Sequence, residues 1–397
     1  MNNQTSAIKR IEQASRLIEG SISLAQGTSS FSSHEIIKKE VISAIENNKI
    51  DRYSDVAGLF ELRQIISQKL SDSGFSYSSE NEIVVTSGAV QALSAIVLSL
   101  FKRGDQIITF TPTYPYYSRI IEMAGVSVLP IKLQAEKEWA VPIELLEKSI
   151  TPKTKGIIIC NPNNPTGSVI PKKDLLAIAR LAEKHSLKII LDDAYHRLYY
   201  GKQPLFNLCD KKFFNGEVIR IVSLSKTFDL SGWRIAFLHG PQNLIRDILE
   251  VHDNLVNCAP VVSQYAAIAA LKNEKTIFSE NLFYYSKRRK LMASYLKQMK
   301  DYFEFDLPQG TYFFFPKIKN IENSRELCFQ MLENSKVAVV PGEEFGPGGE
   351  GRIRICFGKS EEEIIEGMSR IKTFFSEKKE LAIKPGFKTL KSSPYYG

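Results

Sequence analysis

Short apolar runs alternate with amphipathic stretches through most of this chain. "NEIVVTSG", "DQIITF", "VSVLPI", "KGIIICN", "KIILDD" and "VIRIVSLS" have strand length, are rich in Val and Ile, and end in turn or cap residues. Between them lie patterns with helical period, such as "AVQALSAIVLSLFKRG", closed by Gly104 after two basic residues, and "PKKDLLAIARLAEKHS". This alternation predicts an α/β fold, a mainly parallel sheet with helices on both faces. In such folds chemistry gathers at the carboxyl ends of the strands. From about residue 285 longer polar helices take over, with a few strands ("GTYFFFPKI", "VAVVPG", "GRIRICFG"). The expected division is a large unit over 46–284 and a smaller α+β unit built from 1–45 and 285–397. The basic end "EKKELAIKPGFKTLKSSPYYG" reads as a loosely held extension.

Composition narrows the classes. With 43% hydrophobic and 24% charged residues, the 397-residue chain buries a sizeable core. Its net charge of +8 is spread among interleaved acids, the pattern of a solvated surface and not of a nucleic-acid or membrane face. Five scattered cysteines (Cys160, Cys209, Cys258, Cys328 and Cys356) form no CxxC pair, so reduced core residues are expected, with neither a disulfide framework nor a metal site. The first twenty residues are too polar for a signal peptide, and no apolar run has bilayer-spanning length. A cytoplasmic protein is the expectation.

The candidate chemistry sits at predicted strand ends. In "SLSKTFDLSGWRIAF" Lys226 lies just past the strand "EVIRIVSLS". A lysine amine attacks carbonyls when its surroundings keep it deprotonated or tie it to one, although a lone SxSK match more often marks a solvated turn. Ser87, Gly88 and Ala89 in "VVTSGAVQAL" would bring backbone N–H groups to a helix N-terminus, an anion site. Arg234 would add a guanidinium fork and Ser223 a hydroxyl. A phosphorylated carbonyl cofactor satisfies the phosphate-seeking groups and the lysine together, and pyridoxal 5'-phosphate is the obvious one. It needs an acid opposite its ring nitrogen. "KIILDDAYHRLYY" offers Asp192 and Asp193, with Tyr195 beyond, and either aspartate alone reads equally well as a helix cap or metal ligand. The turn "NPNNPTG" would hold the Asn164 amide at the cofactor's phenolic oxygen.

The set "YSDVAGLFELR", "TSGAVQAL", "TPTYPYY", "NPNNPTG", "LDDAYHRL", "SLSKTFDLSGWR" and "RIRICFG", in this order, resembles the class I/II aminotransferases, pyridoxal-phosphate enzymes of fold type I. The resemblance implies a large domain with a mixed, mostly parallel sheet, a small domain from both chain ends, and a homodimer with shared active sites. It implies that Lys226 bonds to the cofactor's carbonyl carbon, that Asp192 pairs with the ring nitrogen, and that Asn164 and Tyr195 hold the ring oxygen. It further implies Tyr114 stacked on the ring, Ser87, Gly88, Ala89, Ser223 and Arg234 around the phosphate, and Tyr53 reaching the phosphate of the neighbouring subunit. Arg354 corresponds to the arginine that grips the substrate's α-carboxylate, with Arg352 as its rival in register, and Gly27 to a glycine that admits the substrate. Asn164 belongs to the substrate side of the site as well. The implied reaction moves an amino group from an L-amino acid to a 2-oxo acid in two half-reactions, with Lys226 as general base and acid. A lyase or cyclase on the same scaffold shares the first deprotonation. A non-enzymatic regulator would carry a separate DNA-binding domain, and about twenty residues precede the match. Two segments depart from the family pattern. Asp253 and Asn254 fall where dicarboxylate-specific members place an arginine, and "AQGTSSFSSHE" replaces the usual wording of the N-terminal flap.

Overall fold

Four to seven consecutive residues buried on both faces is the signature of a strand inside a covered parallel sheet, and the larger unit is built on seven strands, six of them buried in this way and one, Ser127–Lys132, an edge strand with only Ile131 buried. The computed structural model describes residues 7–210, 214, 216–321 and 323–377; the basic end of the chain lies outside them. The chain divides into two compact units, the larger comprising 31–284 and 308–311 and the smaller 1–30, 285–307 and 312–397. Residues 31–45, assigned from the sequence to the smaller unit, thus lie in the larger. The reason is that helix Glu35–Glu46 buries Ile37, Val41 and Ala44 and packs against helix Val261–Lys272.

The strands of the larger unit are β1 (Ile83–Thr86), β2 (Gln106–Thr111), β3 (Ser127–Lys132), β4 (Thr154–Cys160), β5 (Lys188–Asp192), β6 (Val218–Ser223) and β7 (Ala236–His239). Their order in the sheet is β1-β7-β6-β5-β4-β2-β3. Neighbours from β3 to β6 are parallel, and β7 runs antiparallel to both β6 and β1. Six strands therefore end at one edge. The six runs named from the sequence are all strands; β7, inside "GWRIAFLHG", was not among them, and it makes the sheet mixed.

Strand alternation sends successive side chains to opposite faces. Ile190, Ile219, Ile221 and Leu238 join the core beneath helices Ala89–Leu100, Tyr116–Met123 and Gln242–Val256. Leu191, Arg220, Val222, Phe237 and His239 belong to the other face, because Leu191 pairs with Arg220, Arg220 with His239 and Val222 with Phe237. In the smaller unit, strand Ile353–Cys356 is flanked by Phe313–Phe314 and Val340–Pro341, both antiparallel to it. No helix among the described residues is long and apolar enough to cross a membrane.

His239 is fully buried, with the Tyr77 ring 4.2 Å away and no hydrogen bond at either ring nitrogen. Burial, helped by the charge of Arg220, holds its pKa well below the usual value of 6.5, so the folded protein keeps it neutral. The unfolded chain protonates this residue as pH falls below about 6.5, and the stability it contributes is lost in that direction. His239→Phe is expected to remove one such proton, so that unfolding free energy falls by about 2 kcal/mol less between pH 6.5 and 5 than in the parent protein. Denaturant titrations at the two pH values measure this, and parallel losses would contradict it.

Candidate active site

Asp192 closes β5 and Asp193 follows it, so the two carboxylates leave the sheet in opposite directions. Asp192 turns to the helix-covered face, where the Tyr117 hydroxyl donates to Oδ2 at 2.6 Å and the Ala194 N–H donates to Oδ1 at 3.0 Å. Burial pushes the Asp192 carboxyl above the usual range, and these two donors pull against it. Tyr117 is itself fully buried, which raises its hydroxyl far above the ordinary value and keeps it a donor. Asp193 accepts from Arg220 Nε at 2.6 Å and from Asn207 Nδ2 at 2.7 Å. Both bonds fall on Asp193 Oδ2, which is committed to the buried pair with Arg220, while Asp192 accepts one hydrogen bond on each oxygen where a carboxylate has room for about four.

Lys226 belongs to the adjacent strand's end. Ser223, the last residue of β6, caps the short helix Leu224–Thr227 by accepting from the Ser225 N–H at 3.3 Å, and this helix carries the half-buried Lys226. Because Asp192 pairs in register with Ile221, the carboxylate and the lysine helix occupy neighbouring positions on one edge. The Ser223 oxygen accepts within the cap while its hydroxyl proton stays able to donate outward.

The turn after β1 differs from its sequence reading. The Ser87 N–H donates to Gln91 Oε1 at 3.1 Å and the Gly88 N–H to the Thr86 carbonyl at 2.8 Å, so neither points outward as an anion donor. The first helical bond runs from Ala92 N–H to the Gly88 carbonyl, which leaves the N–H groups of Ala89, Val90 and Gln91 as the open helix end. Gly88 has φ +87°, and a Cβ there would lie 2.4 Å from Arg234 Nη2. Arg234 is exposed, and its Nη1 donates to the Ser231 carbonyl at 2.9 Å. Gln91 Nε2 lies 3.0 Å from His252 Nδ1; an amide nitrogen only donates, so His252 accepts there as a neutral imidazole, consistent with a pKa lowered by burial.

The "NPNNPTG" turn is locked by its other asparagines. Asn163 donates to the Pro112 carbonyl at 3.0 Å and to Thr166 Oγ1 at 2.9 Å, and Asn161 Oδ1 accepts from the Ile170 N–H at 2.9 Å. Asn164 is held buried between them. Tyr195 is buried in the turn beyond Asp193, and Tyr114 lies edge-on to Tyr117 at 5.6 Å. Tyr53 is 82% exposed and lines a cleft with Ser87, Cys258 and Pro260.

The smaller unit holds the remaining two candidates together. Arg354 is buried on strand Ile353–Cys356, its Nη2 donates to the Ala25 carbonyl at 2.6 Å, and its guanidinium lies 4.2 Å from the Phe313 ring centre. Gly27 abuts the same phenylalanine, since a Cβ on it would lie 2.7 Å from Phe313 Cζ, and its carbonyl accepts from the Tyr312 hydroxyl at 2.7 Å. Arg352 instead donates to the Phe315 carbonyl at 3.2 Å and is half-buried. Asp253 and Asn254 are exposed on helix Gln242–Val256.

The profile of the family "Aminotransferase class I and II" matches residues 19–371. The chain belongs to the class I and II aminotransferases. It is 33% identical over 372 residues to a putative aminotransferase, YugH, of Bacillus subtilis, covering 93% of this chain and 95% of that protein. It is 32% identical over 378 residues to an aspartate aminotransferase of Pyrococcus abyssi, covering 94% and 96%. The crystal structure of an aromatic aminotransferase from Pyrococcus horikoshii aligns with a TM-score of 0.86 at 31% identity, covering 93% of this chain and 99% of that one.

The enzyme is a pyridoxal-phosphate-dependent aminotransferase, and its own groups fit that cofactor. The open helix end at Ala89 and the fork of Arg234 suit a phosphate, the unsaturated buried carboxylate of Asp192 suits a ring N–H, and Lys226 sits on the same strand edge. Sequence reasoning missed Tyr117 and Gln91, although both stand inside quoted motifs: Tyr117 follows Tyr114 by three residues, one helical turn, and Gln91 follows Ser87 by four. Gly88→Ala would force a Cβ onto the Arg234 guanidinium at a backbone angle that strains it. Cofactor affinity, titrated by absorbance on the apoenzyme, is expected to fall about 10-fold or more while circular dichroism is unchanged. Undiminished affinity would rule out this account of the turn.

Proposed function

We propose that the strand-end groups of the larger unit hold pyridoxal phosphate, with Lys226 as the residue that bonds to it and moves the substrate's proton. The observation that carries this reading is the 2.6 Å bond from Tyr117 to a buried carboxylate on the strand beside the lysine helix. In it, Ala89, Arg234 and the hydroxyls of Ser87 and Ser223 take the phosphate, Gly88 leaves room for the guanidinium, Tyr114 lies on the ring, and Asn164 and Tyr195 meet the ring oxygen. Asp192 faces the ring nitrogen. Its raised proton affinity favours a strong shared proton there, and Tyr117 fixes the carboxylate's orientation. When bound, the cofactor supplies a conjugated ring that accepts the electron pair released at the substrate's Cα. Lys226 Nζ takes the Cα proton and later gives it back, as base and then acid. Arg354 takes the α-carboxylate as a bidentate pair, with its rings Phe313 and Phe345 excluding water, and Gly27 admits the substrate. The reaction carries an amino group from an L-amino acid to a 2-oxo acid.

A homodimer belongs to this proposal. Tyr53 is 82% exposed, and Ile42, Ile45 and Phe60 near it in sequence are 53%, 48% and 42% exposed, an apolar series that a second copy would cover. Tyr53 then serves the phosphate of the neighbouring subunit.

Lys226→Ala should lose turnover by several orders of magnitude yet still retain cofactor through the phosphate groups, and borohydride treatment of the parent enzyme should fix the cofactor to the peptide containing Lys226. A label on another lysine would sink the assignment. Mixing Lys226→Ala with an inactive Tyr53 variant should restore activity in heterodimers, in which one site has both groups intact. Verified heterodimers without activity would argue against shared sites.

A further inference from the structure

The face of the sheet away from Asp192 holds a cavity of about 590 Å³, within the size of a small-ligand site. One side of its wall is apolar, with Phe75, Phe228, Phe237, Leu271 and Leu282, and the other is polar, with Arg220 among His196, Tyr199 and Asn207. Arg220 is 7% exposed, and beyond the Nε bond to Asp193 its Nη nitrogens make no hydrogen bond among the described residues. A guanidinium edge with no protein acceptor beside an apolar wall marks where an anion with an apolar body completes the structure. The lining also carries Lys69, Arg197 and Lys202 against Glu274, a cationic balance although Glu274 pairs with both Lys69, at 3.2 Å, and Arg197.

We propose that this cavity is a second ligand site, separate from the substrate site, for a small monocarboxylate with an apolar body. The Nη nitrogens of Arg220 take the carboxylate, and the body lies among Phe75, Leu271 and Leu282. A single negative charge suits the site better than a phosphate dianion, because Asp193 already neutralises part of the Arg220 charge. The site lies beneath the helix Leu224–Thr227, of which Leu224 and Thr227 form part of the lining, on the face opposite the Asp192 carboxylate.

The test titrates holoenzyme with 3-phenylpropionate, and with its neutral amide, by calorimetry. The acid is expected to bind saturably and the amide at least about 10-fold more weakly. Leu282→Trp, at a half-buried position of the lining, should fill the cavity and abolish binding. Arg354→Ala should leave this binding intact, which separates the cavity from the proposed substrate grip. No saturable binding, binding that survives Leu282→Trp, or binding lost in Arg354→Ala overturns the proposal.

Discussion

A carboxylate buried at the end of β5 is the constraint on which the rest of the active site depends. Burial alone drives Asp192 toward its protonated form. The site needs a carboxylate that is both out of water and able to share a proton, and the fold meets this with two fixed donors, the Tyr117 hydroxyl and the Ala194 N–H. Tyr117 stays a donor because it is itself fully buried. The parallel run from β3 to β6 brings the chain ends after β5 and β6 to one edge, so the carboxylate and the Lys226 helix need no long loop to meet.

The sheet uses its two faces for different purposes. Alternation at Asp192 and Asp193 turns one carboxylate to the Tyr117 hydroxyl, on the side of the proposed cofactor site, and the other to a buried pair with Arg220 on the opposite face. The turn after β1 shows a similar economy. Its first two N–H groups close hydrogen bonds within the turn, and the helix end from Ala89 onward remains for an anion. Gly88 suits the turn, since its φ of +87° strains a residue with a side chain and a Cβ there would displace the Arg234 guanidinium.

Much of this was legible in the sequence. Five strands were readable because strands buried on both faces are continuous apolar runs, the edge strand Ser127–Lys132 because it keeps Val, Leu and Ile, and the seventh escaped because "RIAFLHG" continues a motif read for its chemistry. Lys226 and Arg234 were candidates from their motif, and the family resemblance singled out Asp192 over Asp193. Orientation was not: nothing in "DD" says which aspartate meets Tyr117, and nothing in "TSG" says that two of its N–H groups turn inward. Those facts depend on β-sheet register and on residues four positions or many tens of positions away, such as Gln91 and Tyr117. The helix Glu35–Glu46 went to the wrong unit for the same reason, as its partner helix Val261–Lys272 is far along the chain.

The most direct measurement of the central claim is the nitrogen-15 chemical shift of ring-labelled pyridoxal phosphate bound to the parent enzyme and to Asp192→Asn. The account predicts a protonated ring nitrogen in the parent across neutral pH and an unprotonated one in the variant. An unprotonated ring nitrogen in the parent enzyme, or the same shift in both proteins, would contradict it.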